Sequence, residues 1–338
     1  MKALALAIII IIQLLTATYS NAGVIFNNTG LSGGSRWDAN HREVFGVGER
    51  SLNNGLRYSL QGGSFEAYRD YFTWNELPSV SAFTYTVQSA FDVWSSVDPV
   101  SGLGSDLSFI ADLNTDIVGD FSANGTVNRS GAEIDLLAKT DARFWNEGNT
   151  STQGESWFSA IGSKVALTSG TQRYEGSTAI VGADISINSN IGAVYNLDLF
   201  FRLLTHEIGH ALGLGDVDVY SNSFIDDNYD GTASSLNNSW ANAVNVFNPA
   251  ESPLQVYNVG NSIQANGVNI LMESNGLGIA AGNPLGNLLP LSNDDYGIRQ
   301  FLYPKVSVAE PSTLLLLLLA LGLFLLGRVD NSSTKVQA

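Results

Sequence analysis

Two of the three histidines in this 338-residue chain, His206 and His210, stand four positions apart, and Glu207 directly follows the first. On a helix, residues four apart share one face, so both imidazoles can reach one metal ion while Glu207 projects beside it toward an open coordination position. His-Glu-x-x-His at this spacing is a zinc-binding arrangement. The alternative, two histidines that merely pack in a helix, leaves polar ligands inside an apolar run, which is costly without a metal.

The elements that must position these residues are legible nearby. Residues 197–204 are apolar and free of breakers, which predicts a buried helix leading into the motif. Gly213 can take the left-handed conformation that ends the helix and turns the chain back. That turn brings Asp216 under the metal, giving a His-His-carboxylate set with a fourth position left for water. Asp218 stays open as an alternative third ligand, and the remaining histidine, His41, stands alone and is assigned to the surface or to local packing.

Composition excludes several classes. With 44% hydrophobic residues the chain can bury a full core. Cysteine is absent, which removes disulfides, thiol catalysis and any cysteine-based zinc latch. A formal charge of −16 argues against binding nucleic acid or anionic lipid, both of which need clustered Lys and Arg. An acidic, Gly- and Asn-rich chain suits an extracellular environment containing calcium.

Both ends carry targeting features. Residues 1–22 read as a secretory signal peptide: Lys2 opens an apolar centre, and Ser20-Asn21-Ala22 forms a small-x-small cleavage site before Gly23. Near the other end, residues 314–326 are almost pure Leu, preceded by Glu310-Pro311-Ser312 and followed by Arg328. This order resembles the PEP-CTERM sorting signal of Gram-negative bacteria. The resemblance implies an exosortase-type processing enzyme, transient membrane association, and delivery to the cell surface, outer envelope or extracellular matrix. Ala309 replaces the first Pro of the usual motif, and a plain C-terminal anchor is the alternative.

Between a short lead at 23–35 and a linker and sorting segment at 305–338, residues 36–304 read as one α/β (α+β) domain. A first strand is expected at 56–60, an amphipathic helix at 79–97, and further strands at 107–113, 133–138, 164–168 and 179–188, before the metal-site helix. Met272, the one methionine of the mature chain, lies downstream of that helix and ahead of a final helix over 290–303. Ser292 can cap this last helix, with Asp294 and Asp295 favourable in its first turn. Asp226, Asn228 and Asp230, followed by Gly231, fit the opening of a calcium loop, although Asn237 stands where a full EF-hand needs a bidentate carboxylate. A solvated acidic turn is the other reading.

The motif with its Gly213 turn, the downstream Met272 and the closing Leu291-Ser292-Asn293-Asp294-Asp295 to Leu302-Tyr303 segment resemble the matrixin-like metzincins, in which a methionine turn lies beneath the metal. The resemblance implies a twisted, mostly parallel sheet with an active-site helix and a C-terminal helix. It also implies a secreted zinc endopeptidase: His206, His210 and Asp216 hold zinc, Glu207 is the general base, and Met272 forms the floor. Protein or peptide would be the substrate. Asp216 stands where matrixins have a third histidine, as in bacterial enzymes that resemble snapalysin. No Pro-x-Tyr follows Met272, so substrate preference does not carry over. Two other classes fit less of the sequence. One is a surface or matrix structural protein that keeps this fold without turnover, which leaves Glu207 unexplained; the other is a zinc hydrolase acting on a non-peptide substrate.

Overall fold

The computed structural model describes residues 24–25, 34–40, 50–97, 104–117, 131–140, 153–162, 165–166, 173–174, 178–216 and 271–272, and the single positions Leu291, Asp295, Arg299, Leu302 and Tyr303. Two units divide the chain, Met1–Lys305 and Val306–Ala338, and every described residue belongs to the first. The signal segment 1–22, His41, Asp218, the calcium-loop residues Asp226, Asn228 and Asp230, and the leucine run 314–326 lie outside the described residues. Among the described residues, no helix is long and apolar enough to cross a membrane.

In chain order the elements are β1 (Val24–Ile25), β2 (Ser35–Trp37), β3 (Leu56–Leu60), α1 (Phe65–Arg69), β4 (Thr73–Trp74), α2 (Val80–Ser95), β5 (Phe109–Ala111) and β6 (Ile134–Lys139). They continue with β7 (Gly154–Gly162), β8 (Val165–Ala166), β9 (Arg173–Tyr174), β10 (Thr178–Asn188), β11 (Val194–Tyr195), α3 (Leu197–Ala211) and β12 (Leu214–Gly215). This is a mixed α/β fold with a mostly parallel sheet, as the sequence led us to expect at that level of detail.

The main sheet is built on β10. Its eleven residues, β-branched and small, are buried almost throughout, as expected for a strand covered on both faces. Antiparallel β7 follows one edge of β10 from Thr178 to Ile187. On the other edge run β2 beside Thr178–Ile180 and β6 beside Ala183–Asn188, both parallel to it. Beyond β6 come β3 and then β5, also parallel. The six-stranded sheet therefore reads β7, β10, then β2 and β6 along the far edge of β10, then β3 and β5, with β7 its one antiparallel strand.

Both long helices lie on one face of this sheet. Ser79 caps α2 by accepting from the Ala82 amide, and Asn196 caps α3 by accepting from the Leu199 amide. From α2, Phe83, Val87, Ala90, Phe91 and Trp94 are buried; from α3, Phe200, Leu203, Leu204, Ile208 and Ala211. These join Tyr58, Leu60, Ile134, Leu136, Ile185 and Ile187 of the sheet in one core. Tyr58 stacks on Phe91 at 4.0 Å between ring centroids, and the Trp94 indole donates to the Thr205 carbonyl at 2.9 Å, tying α2 to α3.

Several expectations are corrected in detail. The strand at 56–60 is not the first, because Ser35–Trp37 already belongs to the sheet. Of the strand expected at 164–168, the described residues are Val165–Ala166, which pair with β9 and not with the main sheet. Nothing in the sequence reading placed a strand at Gly154–Gly162, which is the nine-residue edge strand beside the metal-site helix. Its opening Gly-Glu-Ser lacks the apolar alternation by which strands are usually found, although Trp157-Phe158 between small residues carries part of that signal.

Candidate metal centre

His206 and His210 sit on the last turn and a half of α3, one turn apart on the same face, with ring centroids 4.6 Å from each other. After Ala211 the helix stops. Gly213 adopts φ of 96°, and the space beside it is filled by the Ser35 carbonyl, which a Cβ at 213 would strike. Both the left-handed backbone and the close approach thus require glycine here. The chain then returns through β12 to Asp216.

His206 Nε2, His210 Nε2 and one Asp216 carboxylate oxygen converge within 4.8 Å of one another. Asp216 Oδ1 lies 3.4 Å from His206 Nε2 and 3.2 Å from His210 Nε2. The other nitrogen of each ring is engaged by a carbonyl: His206 Nδ1 with Leu271 at 2.7 Å, and His210 Nδ1 with Leu214 at 2.9 Å. A carbonyl only accepts, so each Nδ1 carries a proton and each Nε2 faces the common point, where a metal would take the place of any Nε2 proton. Asp216 Oδ1 is buried there, facing the two imidazoles. Two nitrogen donors and one enclosed carboxylate, pre-oriented, fit a borderline divalent cation such as zinc.

The charges reflect the same convergence. Burial alone would lower the His210 pKa, but the charge and hydrogen bond of Asp216, with help from Glu207 and the Leu214 carbonyl, raise it to about 9. For Asp216, burial works upward and is outweighed by the two histidines, leaving the carboxyl at about 2. Glu207 is 3% exposed, and burial raises its pKa, opposed by His206, His210 and a hydrogen bond from Ser156.

Met272 lies beneath this helix. It is fully buried, and its side chain meets α3 at Gly209 together with Trp94, so that a Cβ at Gly209 would collide with the sulfur. The amides of Leu271 and Met272 donate to the two carboxylate oxygens of Asp295, at 3.1 and 3.3 Å. Asp295, Arg299 and Leu302 are helical, and the Arg299 guanidinium donates to the Ser96 carbonyl at 2.5 Å. The Tyr303 hydroxyl donates to Leu212 at 2.6 Å and accepts from the Trp37 amide at 3.1 Å, just behind the Gly213 turn.

His206, His210 and Asp216 are thus brought together around one point, with Glu207 on the same helix turn and Met272 packed against that helix at Gly209. Sequence reasoning missed the two carbonyls that orient the histidines, which no side-chain pattern encodes. It also missed the contacts of β7 with Glu207, and it read Asp295 as a helix-start acid, not as the acceptor that fastens residues 271–272. No protein-family model matches the chain, and no curated protein matches it either.

Proposed function

We propose that this protein is a secreted zinc-dependent endopeptidase of the matrixin-like metzincin type, working at the cell surface or in the extracellular matrix. The observation that carries this reading is the convergence of His206 Nε2, His210 Nε2 and Asp216 Oδ1 on one point, on the same helix turn as Glu207. The mostly parallel sheet, the helix packed on it and the buried Met272 beneath that helix agree with the fold the resemblance implies.

His206, His210 and Asp216 would hold the zinc, which would supply Lewis acidity to a bound water and to a carbonyl oxygen. His206 and His210 are held for that task by Leu271 and Leu214, so their orientation is set before a metal arrives. Glu207 accepts the proton of the attacking water and returns it to the leaving amine. Its enclosed position and raised pKa suit a group that must hold a proton between two steps. Peptide is the substrate class that the metzincin resemblance implies.

The test is casein cleavage by the zinc-loaded mature protein, with and without chelator, alongside Glu207→Gln. Cleavage abolished by chelator, restored by zinc and missing from the variant supports the reading. Undiminished cleavage by Glu207→Gln sinks the role of Glu207. No cleavage by zinc-loaded wild type favours a structural surface protein that keeps the fold.

A further inference from the structure

The first residues of β7 enclose the carboxylate of Glu207. Ser156 Oγ lies 2.9 Å from Glu207 Oε2 and 2.8 Å from the Glu207 main-chain oxygen. A hydroxyl has one proton to give. The carbonyl sits inside α3, where the amide of Ala211 is its regular helical partner, so the buried carboxylate gains more from the hydroxyl. Two positions earlier on the same face of the strand, Gly154 leaves room for that carboxylate, since a Cβ there would collide with Oε1, Cδ and Cγ of Glu207. Register holds both residues in place, with Gly154 opposite Ile187 and Ser156 opposite Ile185, two buried members of the core.

We propose that Gly154 and Ser156 form a seat that fixes the Glu207 carboxylate in its working orientation, with Ser156 a positioning residue acting through Glu207. This rests on the reading of Glu207 as the proton acceptor. A glutamate side chain has several rotatable bonds, and one oxygen held by Ser156 leaves the other, Oε1, to take the proton. Alanine at 154 fills the space of that second oxygen, so it harms the reaction more than loss of the hydroxyl does.

The experiment compares the zinc-loaded mature chain with Ser156→Ala, Ser156→Thr and Gly154→Ala. Zinc per protein is measured first, then kcat and KM on one quenched peptide taken from a bond that wild type cleaves in casein. Infrared difference spectra between each protein and its Glu207→Gln derivative isolate the carboxylate band of Glu207. We expect unchanged zinc content, kcat reduced about tenfold in Ser156→Ala with KM within about twofold, recovery in Ser156→Thr, and a larger kcat loss in Gly154→Ala. The Glu207 band shifts in Ser156→Ala and returns in Ser156→Thr. Wild-type kcat in Ser156→Ala, or an unshifted band, overturns the proposal. If zinc-loaded wild type cleaves nothing, the proteolytic reading has failed, and the infrared comparison alone decides whether the seat exists.

Discussion

His206 Nδ1 lies 2.7 Å from the carbonyl oxygen of Leu271, a residue 65 positions further along the chain. That carbonyl stands where it does because Asp295 accepts from the amides of Leu271 and Met272. The orientation of His206, one of the candidate metal ligands, therefore depends on Asp295, which lies outside that set. Removing such outer partners typically costs about 10–100-fold in metal affinity. We expect Asp295→Ala to weaken zinc binding by about that factor, and Asp295→Asn, which keeps one acceptor oxygen, to weaken it less. Competition with a chromophoric chelator measures both; equal affinity in wild type and Asp295→Ala would detach the closing helix from the site.

Asp216 is the least usual member of the ligand set, and its Oδ1 is buried facing the two imidazoles. Asp216→Ala leaves two histidines and should bring zinc content of the dialysed protein close to zero. Asp216→His keeps a third nitrogen donor and should retain metal, although the longer side chain must fit beneath the β12 turn. Metal analysis of the three proteins decides. Full occupancy in Asp216→Ala would pass the third position to another carboxylate.

The metal-free protein should show a pH dependence that zinc removes. Folded His210 titrates near 9 against an ordinary 6.5, so its pairing with Asp216 stabilises fully below about 6.5 and is lost as pH rises through about 9. Folded Asp216 titrates near 2 against an ordinary 3.8, so its contribution is complete above about 4 and is lost as pH falls through about 2. Zinc needs the unprotonated His210 and so competes with that proton. Thermal melts of chelator-treated protein should fall between about pH 6.5 and pH 9, while apparent zinc affinity rises over the same interval. A flat melting temperature across that interval in the chelated protein would show that the pair is not charged as described.

How much of this was legible in the sequence follows from which interactions are local. His206, Glu207 and His210 are related by the helical repeat, and Gly213 by a turn three residues on, so the pattern alone orders them. The strand over 56–60 shows in its alternation between flanking glycines and that over 179–188 in its strand-like run, and Ser79 marks the start of α2 by its capping chemistry. What could not be read depends on contacts between distant segments. β7 begins with Gly154, Glu155 and Ser156, of which Gly154 and Ser156 lie against Glu207 and none favours a strand, so the start of this edge was not legible. Likewise β1 pairs with Leu214–Gly215, next to Asp216, and neither side of that pair carries a signature in the sequence.

Gly213 offers the sharpest test of how the ligand turn is built. Its φ of 96° is a conformation that a non-glycine residue holds at a cost of about 1–3 kcal/mol. A Cβ at that position also strikes the Ser35 carbonyl, which belongs to β2 and is fixed in the main sheet by pairing with Thr178. Strand β2 is further anchored by the Trp37 indole, which donates to the Ala211 carbonyl at 3.0 Å, so neither partner can easily move aside. Gly213→Ala should therefore lower Tm by several degrees and loosen zinc more than its distance from the metal suggests, because relief of the clash must displace Leu214 and with it the His210 contact. Asn, which tolerates the left-handed region better than alanine, should recover only the part of the loss that comes from φ, leaving the collision with Ser35. Melting curves and zinc affinity for the two variants separate the two causes: equal losses in both assign the damage to the collision, and near-complete recovery in Gly213→Asn assigns it to the backbone.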